Sequence, residues 1–379
     1  MKDSPVIDRD FLADSAQTLV RCPSQQTALF EPEPEVQTFL GGPVAAVLGA
    51  YGLPWRRDGM GNVIVEVGTG AGPSLMIMAY AMTHPANRMT DPFAGERDAD
   101  RIRGRGASEQ KGALAAAIAA VAAALHLPLA GRLTLAITSA GETGRHDAAR
   151  AVLKALDHVP DAAIIAVGTN GRLALANKGR LDVEVTVRGR AAHSSTPLAG
   201  IDAIAGARRV LDRVLALDVG GRVHPGLGAA TLAATTIRSW PEATHTIQDE
   251  VRLVFDRRLL PGDDADAAFA AIAEAAEIGL PWQVETTRGP HMFPAEIARD
   301  GRLAQTVRQG CARQDLPDLA TFYCSGALDA GLFHALGKEA AMWGPGDMDL
   351  WHSDEESIGI DEMHRGARGY LGLIEAWLR

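Results

Sequence analysis

The sequence has few of the features that mark secreted or membrane-spanning proteins. Its 379 residues include only three cysteines, Cys22, Cys311 and Cys324. This odd number without metal-ligand spacing argues against a disulfide framework and favours a reducing compartment. The longest apolar run, residues 113–125, holds 13 residues and is mostly alanine, whereas a bilayer span needs about 20. Acidic residues and no apolar segment follow Met1, so we expect no secretory signal and a cytoplasmic location.

The chain also lacks an excess of positive charge. Its 37 Lys and Arg against 47 Asp and Glu leave a net charge of −10. Nucleic-acid and anionic-membrane binding both require a basic face, so neither partner is expected. The length is sufficient for two to three domains of about 150 residues.

The first half of the chain alternates helical and strand patterns. Amphipathic helices are predicted over residues 8–20 and 35–51, and an alanine-rich helix is predicted from about residue 108. The predicted strands are mostly apolar, as in a sheet with both faces covered, and span residues 62–67, 74–80, 133–139 and 162–167. This alternation predicts an α/β domain whose mostly parallel sheet is covered by helices.

After Lys178-Gly179 the pattern changes. Residues 180–188 alternate apolar and polar, which predicts a strand with one exposed face. The predicted elements that follow are a helix over 201–217, strands over 229–237 and 249–255, a helix over 265–275 and a strand near 282–287. We therefore predict an inserted α+β domain (β-α-β-β-α-β) over residues 179–287, within a larger domain of residues 1–178 and 288–379.

Four segments lie where α/β proteins bind ligands, at the carboxyl ends of strands and in the loops that follow. They are Ala-Tyr-Ala-Met-Thr-His-Pro (79–85), Gly-Arg-Gly-Ala-Ser-Glu-Gln-Lys-Gly (104–112), Ser-Ala-Gly-Glu-Thr-Gly (139–144), and Gly-Pro-Gly-Asp (344–347) followed by Trp-His-Ser (351–353). The second segment lacks the Gly-Lys-Ser/Thr ending of a P-loop, so a nucleotide is not expected.

These segments, together with Arg-Ala-Ala-His-Ser-Ser (190–195) and Asp-Arg-Arg-Leu-Leu-Pro-Gly (256–262), resemble the co-catalytic zinc amidohydrolases. That family includes acetylornithine deacetylase, succinyl-diaminopimelate desuccinylase, aminoacylase and carboxypeptidase G. The resemblance implies a catalytic α/β domain with an inserted lid domain that usually dimerises. It also implies two zinc ions that share a bridging aspartate, and a glutamate base that activates water for attack on an amide carbonyl.

Compared with this family pattern, the site has lost several groups. Tyr80 and Met82 stand where the family has the His and Asp of its His-x-Asp signature, and Gly141 stands where it has the glutamate base. No carboxylate occurs near residues 168–170, where a late acidic ligand is expected.

The remaining ligands all belong to one of the two metals. By resemblance that metal takes Glu109 at the bridging position, Glu142 and His352. Two carboxylates, one histidine and a water form an accepted mononuclear zinc site. We therefore expect at most one zinc ion per chain, and an empty second site.

The base is left open among several groups. Glu109 has a longer arm than aspartate and is a candidate to take the proton from water. His84 is a second candidate, because residues 80, 82 and 84 share one face of an extended chain, which aims His84 at the lost metal site. Tyr80 is a candidate donor to a developing oxyanion. Alternatively, Tyr80 and Met82 only fill the space of the missing metal.

Two further residues are expected to act from the inserted domain. His193 matches the histidine that family members supply across a dimer to the scissile carbonyl oxygen. Arg257 is a candidate clamp for a substrate carboxylate, because a guanidinium binds carboxylates bidentately. The apolar strand over 229–237 is a candidate dimer edge, which favours a homodimer formed through this domain.

Three functions remain open from the sequence. The leading hypothesis is a hydrolase of an amide-type C–N bond in a small carboxylated, N-acyl amino acid-like substrate, with one metal or an altered mechanism. The second is a catalytically silent family member that binds a small ligand or a partner without metal. The third is a metal-free enzyme that reuses the cleft.

Overall fold

A computed structural model of the chain describes residues 5–26, 33–68, 70, 72–141 and 144–379. Its helices are α1 (Arg9–Val20), α2 (Pro34–Phe39), α3 (Ala45–Ala50), α4 (Gly112–Ala124), α5 (Asp147–Ala155), α6 (Ala203–Leu215), α7 (Ala265–Ala276), α8 (Arg302–Arg313), α9 (Ala330–Ala335) and α10 (Ile360–Leu378). Two π-helical segments occur, Leu40–Val44 between α2 and α3 and Ala107–Lys111 before α4. None of the described helices is long and apolar enough to cross a membrane.

The strands begin and end as follows. They are β1 (Arg56–Arg57), β2 (Val63–Gly68), β3 (Ser74–Tyr80), β4 (Glu96–Arg97), β5 (Arg101–Arg103), β6 (Arg132–Thr138), β7 (Ala162–Ala166), β8 (Leu173–Asn177), β9 (Gly179–Arg188), β10 (Ala192–His193), β11 (Val223–His224), β12 (Gly228–Ala229), β13 (Thr231–Trp240), β14 (Thr246–Ile247), β15 (Glu250–Leu259), β16 (Gln283–Met292), β17 (Ala295–Glu296), β18 (Thr321–Cys324), β19 (Glu339–Met342) and β20 (Ser357–Gly359).

Contacts divide the chain into two units. The first comprises Met1–Ala176, Ala295–Cys324 and Leu328–Arg379, and the second comprises Asn177–Pro294 with Ser325–Ala327. The sequence predicted 179–287 for the inserted domain, so the main segment of the second unit starts two residues earlier and ends seven residues later.

The central sheet of the first unit is mixed and mostly parallel. Its strand order within the described residues is β1-β2-β6-β3-β7-β19. β3 runs parallel to β6 and β7, β19 runs parallel to β7, and β2 pairs antiparallel with β6. Every residue of β3 is buried, as expected for a strand with helices on both faces. The predicted α/β class is confirmed.

One helix prediction needed correction. The pattern over residues 35–51 predicted a single helix, but the described chain forms α2 and α3 joined by the π-helical segment that contains Pro43. Proline has no backbone N–H to donate, so the regular i to i−4 pattern is interrupted there. The chain still runs helically through the segment, because hydrogen bonds to residue i−5 replace the missing ones.

The second unit is an antiparallel sheet with helices on one face. Its four-stranded sheet has the order β13-β15-β9-β16. The apolar residues of β9 at 181, 183, 185 and 187 face a core that also contains side chains of α6 and α7. β13 lies at the edge, where it pairs with β15 and leaves its other side without a strand among the described residues. Most side chains of β13 are exposed, including that of Ile237.

Candidate active site

Three of the four predicted site segments begin at one edge of the central sheet in the first unit, whereas the segment over 104–112 follows β5 of another sheet. β3 ends at Tyr80, β6 at Thr138, β7 at Ala166 and β19 at Met342. Because these four strands run parallel, their carboxyl ends lie side by side, and the loops that follow them converge. Ligand sites of α/β sheets form at such an edge.

Glu109 is held by a buried carboxylate that the sequence analysis missed. Glu109 lies in the π-helical segment before α4. The side chain of Glu356 is fully buried and accepts hydrogen bonds from the backbone N–H groups of Gly106 (2.8 Å), Ser108 (3.1 Å) and Glu109 (3.0 Å). Arg105, which is also buried, donates to the same carboxylate at 2.9 Å. This negative charge satisfies the free N–H groups at the start of the helical segment.

His352 reaches Glu109 from a position 243 residues further along the chain. Its Nε2 lies 3.3 Å from Oε1 and 3.2 Å from Oε2 of Glu109. The backbone of His352 has φ +60°, a left-handed conformation uncommon outside glycine. Such a residue persists only where its surroundings hold it, and it is often functional.

The loop before His352 is hydrogen-bonded to the π-helical segment that contains Glu109. The backbone N–H of Asp347 donates to Ser108 Oγ at 2.6 Å, and Ser108 Oγ donates to the carbonyl of Asp347 at 3.0 Å. Gly346 has φ +119°, and a Cβ there would lie 1.9 Å from the carbonyl oxygen of Ser108. A glycine is therefore required for the two loops to approach this closely.

His84 joins the same group through its ring. The imidazoles of His84 and His352 are stacked, with centroids 3.9 Å apart and an angle of 16° between planes. His84 Nδ1 lies 3.1 Å from the carbonyl oxygen of Pro85. The structure thus brings together Glu109, His352 and His84.

Tyr80 belongs to a second buried cluster, with two residues that the sequence analysis did not select. The Tyr80 hydroxyl donates to Oδ2 of Asp329 at 2.9 Å, and His146 Nδ1 lies 2.7 Å from Oδ1 of the same carboxylate. The backbone N–H of Asp329 donates in turn to the Tyr80 oxygen at 3.3 Å. All three side chains are buried. No local motif marks Asp329 or His146, because they lie 249 and 66 residues from Tyr80 in the sequence.

Gly141 is enclosed by the residues that replace the His-x-Asp signature. A Cβ at position 141 would lie 2.4 Å from Cε of Met82 and 2.8 Å from Cδ1 and Cε1 of Tyr80. The space that a side chain at position 141 needs is therefore filled by Tyr80 and Met82. The next residues, Glu142 and Thr143, lie outside the described residues, so the predicted ligand Glu142 has no described position.

A pair of metal ions does not fit the described site. Tyr80 and Met82 offer no imidazole or carboxylate, and the Tyr80 hydroxyl already donates to Asp329. In the loop after β7, Thr169 donates to the carbonyl of Arg172 and Asn170 donates to Asp347, so neither replaces the late acid. Among the described residues, no group of three or more His, Cys, Asp or Glu side chains is arranged to hold a metal ion.

Lys111 follows Glu109 by two residues and is fully buried. Its Nζ donates to the carbonyl of Cys22 at 2.6 Å and lies 4.9 Å and 5.3 Å from the ring centroids of Phe39 and Phe93. Burial lowers the pKa of Lys111 to about 7 from 10.5, against the opposing effect of nearby acidic groups that include Glu356. Burying the charged form of Lys111 next to the start of α4 therefore costs solvation free energy.

The second unit carries the two remaining predicted residues. His193 is exposed in β10, and its Nδ1 accepts a hydrogen bond from the backbone N–H of Ser195 at 3.2 Å. An acceptor Nδ1 places the proton of a neutral imidazole on Nε2, which is then a donor. Arg257 lies in β15 and donates through Nη1 to the carbonyls of Thr231 (3.4 Å) and Arg258 (2.5 Å). Its role as a substrate clamp stays a prediction.

Comparison with protein families gives one match over most of the chain. Residues 83–376 match the model of peptidase family M20/M25/M40. Two curated relatives are N-acetyl-L-citrulline deacetylase of Xanthomonas campestris pv. campestris and succinyl-diaminopimelate desuccinylase of Rhodospirillum centenum. The first is 29% identical over 73% of this chain and 74% of its own length, and the second is 26% identical over 96% of each.

A solved structure with the same fold is an M20 family metallo-carboxypeptidase from Sulfolobus solfataricus. It aligns with a TM-score of 0.80 over 97% of this chain and 99% of its own, at 17% identity. At that identity the likeness concerns the fold alone, and it agrees with the mixed α/β architecture described above.

Proposed function

The chain belongs to peptidase family M20/M25/M40, and on that premise we propose that it hydrolyses an amide-type C–N bond in a small carboxylated, N-acyl amino acid-like substrate. The observation that carries this proposal is the approach of His352 Nε2 to within 3.2 Å of the Glu109 carboxylate at the carboxyl edge of the sheet. A buried carboxylate hydrogen-bonded to a partly exposed imidazole is a suitable group to move a proton between water and a leaving nitrogen.

In the proposed reaction Glu109 is the base. Its carboxylate removes a proton from a water molecule, whose oxygen forms a bond to the amide carbon. The C–N bond then breaks, and the proton held by Glu109 passes to the leaving nitrogen, which yields a carboxylic acid and an amine. His352 orients the Glu109 carboxylate, and His84, stacked on His352, fixes the plane of that imidazole. His84 is the alternative base.

We further propose at most one zinc ion per chain, held by Glu109, His352 and Glu142; when Glu109 acts as the base, it does so at the expense of one of these ligands. Such an ion would supply polarisation of the carbonyl and a lower pKa for the attacking water. The contact between Glu109 and His352 supports this donor set. The packing of Tyr80, Met82 and Gly141 argues against a second ion.

The proposal includes a homodimer formed through the second unit, in a cytoplasmic enzyme. β13 is an edge strand with exposed apolar side chains, which favours its pairing with a second copy. His193 presents Nε2 as a donor, and this group is suited to bind the carbonyl oxygen of a substrate held by the partner.

Turnover and metal content test the proposal together. We expect purified protein to hold about one zinc per chain and to release amino acid from a panel of N-acetyl and N-succinyl amino acids. We expect His352→Ala to lower both metal content and turnover, and Glu109→Gln to lower turnover at least 100-fold because it removes the base. His126→Ala replaces an exposed histidine of the same chain and is the matched control.

Two outcomes contradict the proposal. Wild-type protein that binds no zinc under zinc-replete conditions and releases no amino acid from any substrate of the panel indicates the silent family member. Turnover that persists both in Glu109→Gln and after removal of the metal indicates that a different set of side chains catalyses the reaction. In that case the Tyr80–Asp329–His146 cluster is the specific alternative, because it is a hydrogen-bonded set of acid and base groups at the end of β3. Tyr80→Phe then abolishes the residual activity.

A further inference from the structure

Arg257 occupies a position of β15 where the alternation of buried apolar side chains predicts an apolar residue. The apolar residues at alternate positions of β15 are at most 1% exposed and belong to the core between the sheet and helices α6 and α7. They are Val251, Leu253, Phe255 and Leu259. Arg257 is on the same face of the strand and is only 8% exposed. A buried arginine is uncommon without an ionic partner, so its presence here requires an explanation.

The guanidinium of Arg257 is only partly satisfied by the second unit. Nη1 donates to two backbone carbonyls, whereas Nε and Nη2 donate to no described residue. The neighbouring carboxylate Asp263 is already engaged, since its Oδ1 accepts from Arg222 at 2.5 Å and its Oδ2 accepts from the N–H of Leu260 at 2.8 Å. Burial lowers the pKa of Arg257, and Asp263 partly opposes this effect. The cation therefore has N–H groups and charge available for an anion.

A cavity adjoins this side chain. It has a volume of about 240 Å³, and Arg257 forms part of its wall. Most of the other lining is apolar and includes Leu217, Val219, Ala268 and Ile272. At roughly 30 Å³ for each water molecule, the volume corresponds to about eight non-hydrogen atoms. The wall also contains Arg222 and Asp263, which pair with each other at 2.5 Å, and Asp218, which accepts from the N–H of Gly220. Arg257 is therefore the cation of the wall that has no ion pair among the described residues, and beside the apolar side chains it suits a small molecule with a negative head and a hydrocarbon tail.

We propose that this cavity binds a short aliphatic carboxylate, whose head accepts hydrogen bonds from Nε and Nη2 of Arg257. The hydrocarbon chain packs against the apolar side chains of Leu217, Val219 and α7. Arg222 is engaged by Asp263, so the wall offers a polyanion such as phosphate no second available cation. All of these residues belong to the second unit. The site therefore stands independently of the hydrolytic site proposed for the first unit.

Calorimetric titration of the full chain with acetate, butyrate, octanoate and inorganic phosphate tests this site. We expect each methylene from acetate to butyrate to tighten binding about fourfold, and no further gain at octanoate, which exceeds the volume. Arg257→Gln should weaken butyrate binding at least tenfold, because two charge-assisted hydrogen bonds are lost. Arg252→Gln is the control, because Arg252 is an exposed arginine of the same strand with a surface partner, Glu250.

A second variant distinguishes a loss of butyrate binding from a folding defect. Arg257→Met restores an apolar residue to the core face, so it should fold with at least the thermal stability of the wild type and still lose butyrate binding. The proposal is overturned if the wild type does not bind butyrate, or if Arg257→Met binds it as well as the wild type does. It is also overturned if the affinity of the wild type does not change with the chain length of the carboxylate, or if phosphate binds as tightly as butyrate. Butyrate binding in His352→Ala should equal that of the wild type. Its loss there would place the carboxylate in the hydrolytic site and also overturn the proposal.

Discussion

Replacing Glu356 by glutamine should destabilise the chain strongly and disturb Glu109. In the native protein Oε1 of Glu356 accepts from the N–H groups of Ser108 and Glu109, and Oε2 accepts from Gly106 and Arg105. Glutamine keeps the shape but carries one NH2 group. Whichever way the amide is turned, that group faces two N–H donors, so two hydrogen bonds are lost and replaced by repulsion.

The magnitude follows from the burial of the pair. Both side chains are at most 1% exposed, so the Glu356→Gln variant leaves the Arg105 charge in the interior without its carboxylate. Breaking a buried ion pair in this way costs about 3–5 kcal/mol. Since domains are stable by only about 5–15 kcal/mol, the loss should be evident in urea unfolding curves monitored by tryptophan fluorescence.

The adjacent residue offers a matched control. Glu355→Gln makes the same chemical change at an exposed side chain and should shift the free energy of unfolding by less than about 0.5 kcal/mol. A Glu356→Gln loss below about 1 kcal/mol, or equal to that of Glu355→Gln, would show that the carboxylate does not hold the Glu109 segment. Under the proposed function, the catalytic rate should also fall in Glu356→Gln and remain unchanged in Glu355→Gln.

Three other outcomes are expected. Gly141→Ala should cost about 1–3 kcal/mol in urea unfolding by overpacking against Met82 and Tyr80, and much less in a Met82→Ala background; equal costs in both backgrounds would refute the steric coupling. Because burial lowers the pKa of Lys111 to about 7 from 10.5, the unfolded chain binds more protons between these values. The free energy of unfolding, relative to Lys111→Met, should therefore rise with pH from about 7 to 10.5, by at most about 1.4 kcal/mol per unit, and a flat or falling difference would contradict this sign. Under the proposed homodimer, the wild type should sediment as a dimer and Ile237→Lys as a monomer, and a dimer that persists in the variant would move the interface away from β13.

The sequence predicted the regular elements well where their patterns were long and uniform. β3 was predicted at its observed bounds, and the apolar positions of the alternation over residues 180–188 are the buried ones of β9, with Asp182 as a buried exception on the polar face. These predictions succeeded because burial on one or both faces imposes a period that is visible within a single segment. The family resemblance was also predicted from the order of short motifs, and the match over residues 83–376 confirms it.

The contacts around the site were much less predictable. Asp329, His146 and Glu356 lie in no recognisable motif, and each acts through a partner distant in the sequence. The position of Arg257 illustrates a different limit. Its motif indicated a guanidinium available for a carboxylate, but only the register of β15 shows that it lies on the core face of the sheet. The roles of His84, His193 and the metal ligands stay predictions.

The close packing around Gly141 has a consequence for the history and the redesign of this site. A glutamate restored at position 141 alone meets Met82 and the ring of Tyr80, so that single step is disfavoured by folding before any gain in catalysis is reached. Smaller side chains must come first at 80 or 82. A carboxylate can therefore be introduced at position 141 without this overlap only after position 80 or 82 has been changed.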